Sequence, residues 1–486
     1  MDDEVGASNF RQELAWARSD MSQVLLLKTP PTAAILPCDP HHMKGLTLAP
    51  KPGWSRFIGK STSRVLWSTF TALISVSPVS AQLSLLPEFR VDATTNGKGA
   101  AACAANSFGS VLVTWVDNPY YGDHVMARML DSDGSPQTAE FQVGTQTSSF
   151  SPPAVSSAGG SFGLAWREAF GVALGRGVEV DGTFATDAIP LSAYNVVSPS
   201  MPKMTVAGSE YWVQWTGGID QFGSPGAGAR TLSTQDFSPT GAQLDLAAFE
   251  STPCGNAVAA IPAGVLSAWV ATEGGMLQVI SQRFAPSGDA IGPPVVLSDD
   301  VWGGLDSPEL ASSSAGLLLV WLNETWDPVL GRAATRVQAR PLDLSGGIAG
   351  PTVVLDADAN HVPPTVVPDG TGGFIVSWVR GDAYLRDVIL QNVDRFAHPI
   401  GAEVAAQDSP HANPNYPGLC LISSGRAMLV WTTETGYLDE SISGRIVLVR
   451  ESILAIPTLS PLSIILFSMV LAGLSLGLIH RRFRPE

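Results

Sequence analysis

The chain has 486 residues, with 28 Lys and Arg against 44 Asp and Glu, a formal net charge of −16. A surface this acidic excludes binding to nucleic acid through the phosphate backbone, and adsorption to anionic lipid. Four cysteines in so long a chain are no disulfide framework, and no CxxC appears anywhere.

In chain order the first feature is an export signal. Val65–Val76 is a short apolar run, preceded by Lys51, Arg56, Lys60 and Arg64 and followed by Val79-Ser80-Ala81. A basic region, an apolar core and small residues in that order predict a signal peptide cut between Ala81 and Gln82. The run is too short to span a bilayer comfortably. Met43 is a more ordinary start for such a signal, so residues 1–42 are kept out of the fold. The division is 1–81 leader and signal, 82–455 exported domain, 456–486 tail. Residues 82–456 carry 17 Lys and Arg against 37 Asp and Glu, a net of −20, and Lys98 and Lys203 are the only lysines.

The exported domain is a repeat. Seven apolar segments end in Trp, at 115, 166, 215, 269, 321, 378 and 431. A Gly precedes each by five to seven residues, and an Arg follows in six: Arg128, Arg176, Arg230, Arg283, Arg336 and Arg445, with Gln391 in the sixth repeat. Each unit reads as four strands. Strand A is short and often follows Pro. A Gly turn leads to strand B, which ends at the Trp. A longer loop leads to strand C with the Arg. A turn such as Asp133-Gly134 or Asp181-Gly182 leads to strand D, and Asp-Gly suits a hairpin with two positive-φ residues. Four antiparallel strands in about 50 residues match a propeller blade, whereas tandem sandwiches need about 100 residues each. The expected fold is all-β: a seven-bladed β-propeller of four-stranded blades plus a C-terminal transmembrane helix. Repeat seven lacks strand D, and Pro87–Val91 (PEFRV) matches the strand D of repeat one, AEFQV. The N-terminal segment is therefore expected to complete blade seven and close the ring, removing an open edge.

The tail has three parts. Ile456-Pro457-Thr458-Leu459-Ser460 comes first, then 19 uncharged residues from Pro461 to Ile479, then Arg481, Arg482 and Arg484. The middle part is long enough for a transmembrane helix, and the arginines hold its end in the cytoplasm. The three-part order resembles the IPTL-type C-terminal sorting signal of Gram-negative bacteria. That resemblance implies processing by an exosortase-type membrane transpeptidase and an envelope location. Pro461-Leu462-Ser463 stands where the family usually continues with an acidic residue and Trp-Gly.

The B–C and D–A loops share the face on which a site is expected. Asp117, Tyr120, Tyr121 and Asp123 belong to repeat one; Glu324, Trp326 and Asp327 to repeat five; Asp382 and Tyr384 to repeat six; Tyr437 and Asp439 to repeat seven. Trp302 lies in the D–A loop before repeat five. Aromatics with carboxylates suit an extracellular ligand, glycan or protein, or a bound cation; a solvated acidic rim is the competing reading. The seven Trp read as inter-blade packing, since functional residues break a repeat instead of following it. Gly159-Gly160-Ser161-Phe162-Gly163 matches a nucleophile motif but falls at an A–B turn. Asp356, Asp358 and Asn360 copy three positions of a calcium loop, but His361 stands where Gly is required. The histidines form no metal-ligand pattern. Cys103 and Cys420 lie in strand A of repeats one and seven, and a disulfide there locks the seam if those strands come close enough.

The leading expectation is an exported, envelope-associated binding or display module, with no catalytic motif. A glycan-active enzyme with facing carboxylates and a purely structural surface protein are the alternatives.

Overall fold

The structure is a computed structural model that describes residues 82–450, apart from 94–96, 118–123, 146–151, 169–171, 193–201, 219–224, 249–254, 274–275, 299–302, 328–331, 382–384, 409–412 and 437–438. The expected signal peptide with Ala81, the expected alternative start at Met43 and the tail with Ile456, Pro457, Thr458, Leu459 and Ser460 lie outside the described residues. Among the described residues no helix is long and apolar enough to cross a membrane.

Every regular element among the described residues is a β-strand. In repeat one, strand A is Lys98–Ala105, B is Val111–Asp117, C is His124–Leu130 and D is Phe141–Thr145, antiparallel in that order. The pattern recurs through the chain as a β-propeller-like, repeated all-β fold. A one-residue pairing of Ala359 with Arg380 joins the sheets of repeats five and six. Strand B is buried along nearly its whole length, as in Val111–Val116 and Phe374–Val379, because neighbouring sheets cover both of its faces. Strand D is the wet edge: Ala290–Val296 has no buried residue.

The last sheet joins the two ends of the described residues. Its strands A, B and C are Asn413–Ser423, Arg426–Gly436 and Asp439–Arg450. Its fourth position is filled from the N-terminus: Phe89 and Arg90 pair with Gly444 and Ser443. The register repeats that of repeat one, where Phe141 and Gln142 pair with Ala127 and Met126. In both, the Phe faces the residue just before the strand C arginine. The repeat pattern does not reveal a further strand, Gln82–Leu85, which pairs with Val447–Arg450 and lengthens the strap.

Among the described residues the core is seven clusters between neighbouring sheets, each holding one of the repeat Trp, with Trp212 beside Trp269 in the cluster of repeats three and four. Trp321 packs on Leu266 and Val279 of the sheet before it, Trp378 on Leu318 and Val337, and Trp431 on Ile375 and Leu390. Trp115 of repeat one packs on Met428, Val430 and Ile446 of repeat seven. All seven indoles are buried. Glycines make room for two of them. A Cβ on Gly144 would lie 2.5 Å from the Trp166 ring, and one on Gly228 2.8 Å from that of Trp215.

The arginines cross the same interfaces. Arg128 donates to Val91 O at 2.7 Å, Arg176 to Val143 O at 2.7 Å, Arg230 to Pro190 O at 2.9 Å and Arg445 to Ala406 O at 2.6 Å. Each guanidinium thus satisfies a carbonyl at the end of strand D of the preceding sheet. Strand pairing corrects two of the expected markers. The equivalent residue stands two after the partner of the Trp, which makes it Gln282 in repeat four, not Arg283, and Arg340 in repeat five, not Arg336. Arg340 donates to Leu297 O like the others. Gln282 and Gln391 bond backbone carbonyls of their own sheets instead. At the seam that Gln391 leaves, Asp356 takes over, accepting from Trp378 Nε1 at 2.6 Å and Arg380 Nε at 2.7 Å.

Cys103 and Cys420 are joined by a disulfide, with Cα atoms 5.6 Å apart. Gly418 allows that approach. A side chain there would place Cβ 2.7 Å from Ala101 O, so only glycine lets the two inner strands come together. Cys254 lies outside the described residues.

The C–D turns differ from expectation in one respect. Asp131 N donates to Ser135 O and Gly134 N to Asp131 O, and the same pattern recurs at Glu179–Thr183 and Ala285–Asp289. Only the glycine has positive φ: Gly134 at 91°, Gly182 at 82° and Gly288 at 90°. These are type I turns with a glycine bulge, not two-residue hairpins. In repeat three the residue at positive φ is Phe237, so Thr240-Gly241 lies beyond the turn.

The turn carboxylates titrate low. Hydrogen bonds from Asp131 and then Ser135 hold Asp133 below the usual carboxylate range, while the hydroxyls of Thr183, Ser238 and Ser345 do so for Asp181, Asp236 and Asp343. A depressed folded-state pKa stabilises the fold above the unfolded value and loses that contribution as pH falls through the folded one. The melting temperature is therefore expected to fall as pH drops below about 4. A melting series from pH 6 to pH 3 checks this, and Ser345→Ala should flatten the acid limb.

Candidate functional site

Strand A is the innermost strand of each sheet, and the inner strands of successive repeats touch one another, repeat seven against repeat one included. Between them lies a cavity of about 430 Å³, lined by strand A residues from all seven repeats. In repeats two, three, four and six these are the first residues of the strand and those just before it; in repeats one, five and seven, whose inner strands begin earlier, they are mid-strand residues opposite the end of strand B. The cavity therefore sits toward the end of the sheets from which the B–C and D–A connections leave.

Register around the cavity separates repeat from exception. Opposite the residue before each Trp stand Ala102, Ala154, Ala257, Thr365 and Gly418, five small residues. In repeats three and five the same position holds Lys203 and Glu309. Both are part-buried, and their side chains form an ion pair that spans repeat four. Beneath the span, Asn256 of repeat four is buried and donates to Gln214 O.

The wall is locally strained. Strand A of repeat five slips register between Asp306 and Glu309, and that of repeat seven between Asn415 and Gly418. At each slip a non-glycine residue before Pro adopts left-handed backbone, Ser307 at φ 53° and Tyr416 at φ 49°. Such a conformation costs about 1–3 kcal/mol, and its presence twice in one wall marks a shape held against local preference.

The loop-face residues that the structure describes make separate contacts. Asp117 accepts from Lys98 Nζ at 2.6 Å. Glu324 faces His361 at 4.0 Å, on another part of the rim. Trp326, Asp327 and Asp439 stand at strand ends, Asp327 opposite Arg332 and Asp439 opposite Gly436. Tyr120, Tyr121, Asp123, Trp302, Asp382, Tyr384 and Tyr437 lie outside the described residues. Ser161 begins strand B at an A–B turn, its hydroxyl on Ala158 O at 3.4 Å, with no strand-to-helix elbow around it. Asp356 of the calcium-like stretch is engaged by Trp378 and Arg380, and Asn360 donates to Gly381 O at 2.8 Å. Lys203 and Glu309 are absent from the sequence expectations. Each directly follows a Pro, and the signal was their departure from the small residues at that register.

No family model matches the chain, and no curated protein does. Among solved structures it is similar to a protein of unknown function from Dyadobacter fermentans (10% identity, 76% of this chain and 99% of that one, TM-score 0.45). It is also similar to the polysaccharide lyase Uly1 (9% identity, 75% and 99%, TM-score 0.46) and to an α-L-arabinofuranosidase from Fusarium graminearum (11% identity, 74% and 97%, TM-score 0.42).

Proposed function

We propose that residues 82–455 are an exported seven-bladed β-propeller, closed by the N-terminal strap, that binds an extracellular ligand, glycan or protein, at its central cavity without turning it over. The tail carries it to the envelope. There it stays anchored through the helix, or is released after an exosortase-type enzyme cuts at Ile456–Ser460. The observation that carries the binding reading is the Lys203–Glu309 pair, the two charged side chains among the residues that line the cavity. An ammonium and a carboxylate side by side offer donors and acceptors to hydroxyls or to a peptide backbone. A glycosidase would need two facing carboxylates. Among the described residues the cavity wall holds one, Glu309, and it is paired with a lysine.

A glycan and peptide array probed with the purified domain tests the reading. Lys203→Ala and Glu309→Gln are each expected to weaken the captured ligand about tenfold, the loss of a hydrogen bond to a charged group. Product release from the array, or binding indifferent to both substitutions, sinks it.

A further inference from the structure

Lys98 is the other lysine of the exported domain, and it does not behave as a surface residue. It opens strand A of repeat one, is 1% exposed, and pairs directly across the sheet with Asp117, the last residue of strand B. Its Nζ lies 2.6 Å from Asp117 Oδ1, with no exposure of the lysine side chain and 20% of the aspartate's. A third group belongs to the other end of the chain. Glu440, in strand C of repeat seven, accepts the Lys98 backbone N–H through Oε2. Burial pushes the Glu440 carboxyl up, and the neighbouring Glu434 adds to the effect. The cluster lies on the seam that the Cys103–Cys420 disulfide crosses, within the same strand A.

A buried ion pair returns little stability, because both charges are stripped of water. A neutral amide at the same place carries no such penalty. We propose that Lys98 and Asp117 condense into an isopeptide bond, with Glu440 as the acid–base group that moves the proton between them. The Nζ lone pair adds to Asp117 Cγ, and one C–O bond of the carboxyl breaks. That oxygen leaves as water with two protons of the former ammonium. An ammonium and a carboxylate become one amide and one water, with nothing oxidised or reduced and no co-reactant. Glu440, whose carboxyl burial pushes up, is suited to pass a proton at this seam. The product ties the first residue of strand A to the last of strand B, so that the seam repeat is closed covalently on both sides.

The test is the intact mass of the exported domain, reduced and denatured, with a tryptic map. The expected mass is one water below that of the sequence. Trypsin should leave Lys98 uncut, with its peptide joined to the one that holds Asp117. Cyclisation of an N-terminal Gln82 would remove ammonia instead, and from a different peptide. Lys98→Met and Asp117→Ala should restore the full mass, Glu440→Gln should leave an uncrosslinked fraction, and Lys203→Met should keep the water loss. The wild-type protein decides even where a variant fails to fold. A full reduced mass with cleavage after Lys98 overturns the proposal, and complete crosslinking in Glu440→Gln removes Glu440 from it.

Discussion

Trp321→Ala is expected to lower the unfolding free energy by about 3–5 kcal/mol, the cost of truncating a fully buried Trp to Ala in a packed core. Trp321 has no exposure and packs on Leu266, Val270 and Val279 of the preceding sheet and on Leu317 and Leu319 of its own. No sheet of this fold has a core of its own; the apolar side chains meet only between sheets. Removing one indole therefore loosens two repeats at once, and a single cooperative urea transition should shift to lower denaturant or split. Ligand capture at the cavity is expected to survive under native conditions, because Trp321 does not line the cavity and contributes packing alone. A change below about 1 kcal/mol would mean that the interface repacks around the cavity, and the indoles would lose their place as the organising element.

Removal of residues 82–92 should be equally plain. The strap buries Leu83 and Val91 and places Leu86 N on Ile446 O at 3.0 Å and Val91 N on Ile442 O at 2.8 Å. Asp92 accepts Ile442 N at 2.9 Å, and Arg128 reaches Val91 O from the next sheet. Burial of the two aliphatic side chains is worth about 3–6 kcal/mol before the cost of ordering the segment is deducted. Without the strap, Asp439–Arg450 becomes a twelve-residue open edge with no partner on its outer side, a template for pairing with another chain. The shortened domain is expected to run as aggregates in size-exclusion chromatography with light scattering, and addition of a peptide of residues 82–92 should reduce them. A truncated protein with unchanged association state and unchanged melting temperature would show that the strap is dispensable.

The two results bear on how the molecule is read from its sequence. The Trp positions and the Gly before each were legible because a repeat imposes one environment on one register. PEFRV was legible because it copies AEFQV. The strand Gln82–Leu85 was not, since QLSL copies no strand D and is fixed only by its partners Val447–Arg450. Arg283 and Arg336 were chosen by counting from the Trp. Pairing moved the role to Gln282 and Arg340, because loops of different length shift the count while the hydrogen-bond ladder keeps register. Loop membership alone picks out the loop-face carboxylates and aromatics, and it does not reveal that Asp117 pairs with Lys98.

The sequence by itself determined the seven-fold repeat, the four-strand unit and the displaced strand. Those features are periodic or compositional, and each is written within one stretch of chain. Tertiary structure decided which other residues meet across repeats, beyond Cys103 and Cys420, whose like places in strand A of repeats one and seven already suggested a bridge. Lys203 and Glu309 are 106 positions apart, and Lys98 and Glu440 are 342 apart. In a fold whose inner strands converge on one cavity, neighbours in space are separated by one or more whole repeats, so local pattern carries no information about which of them touch.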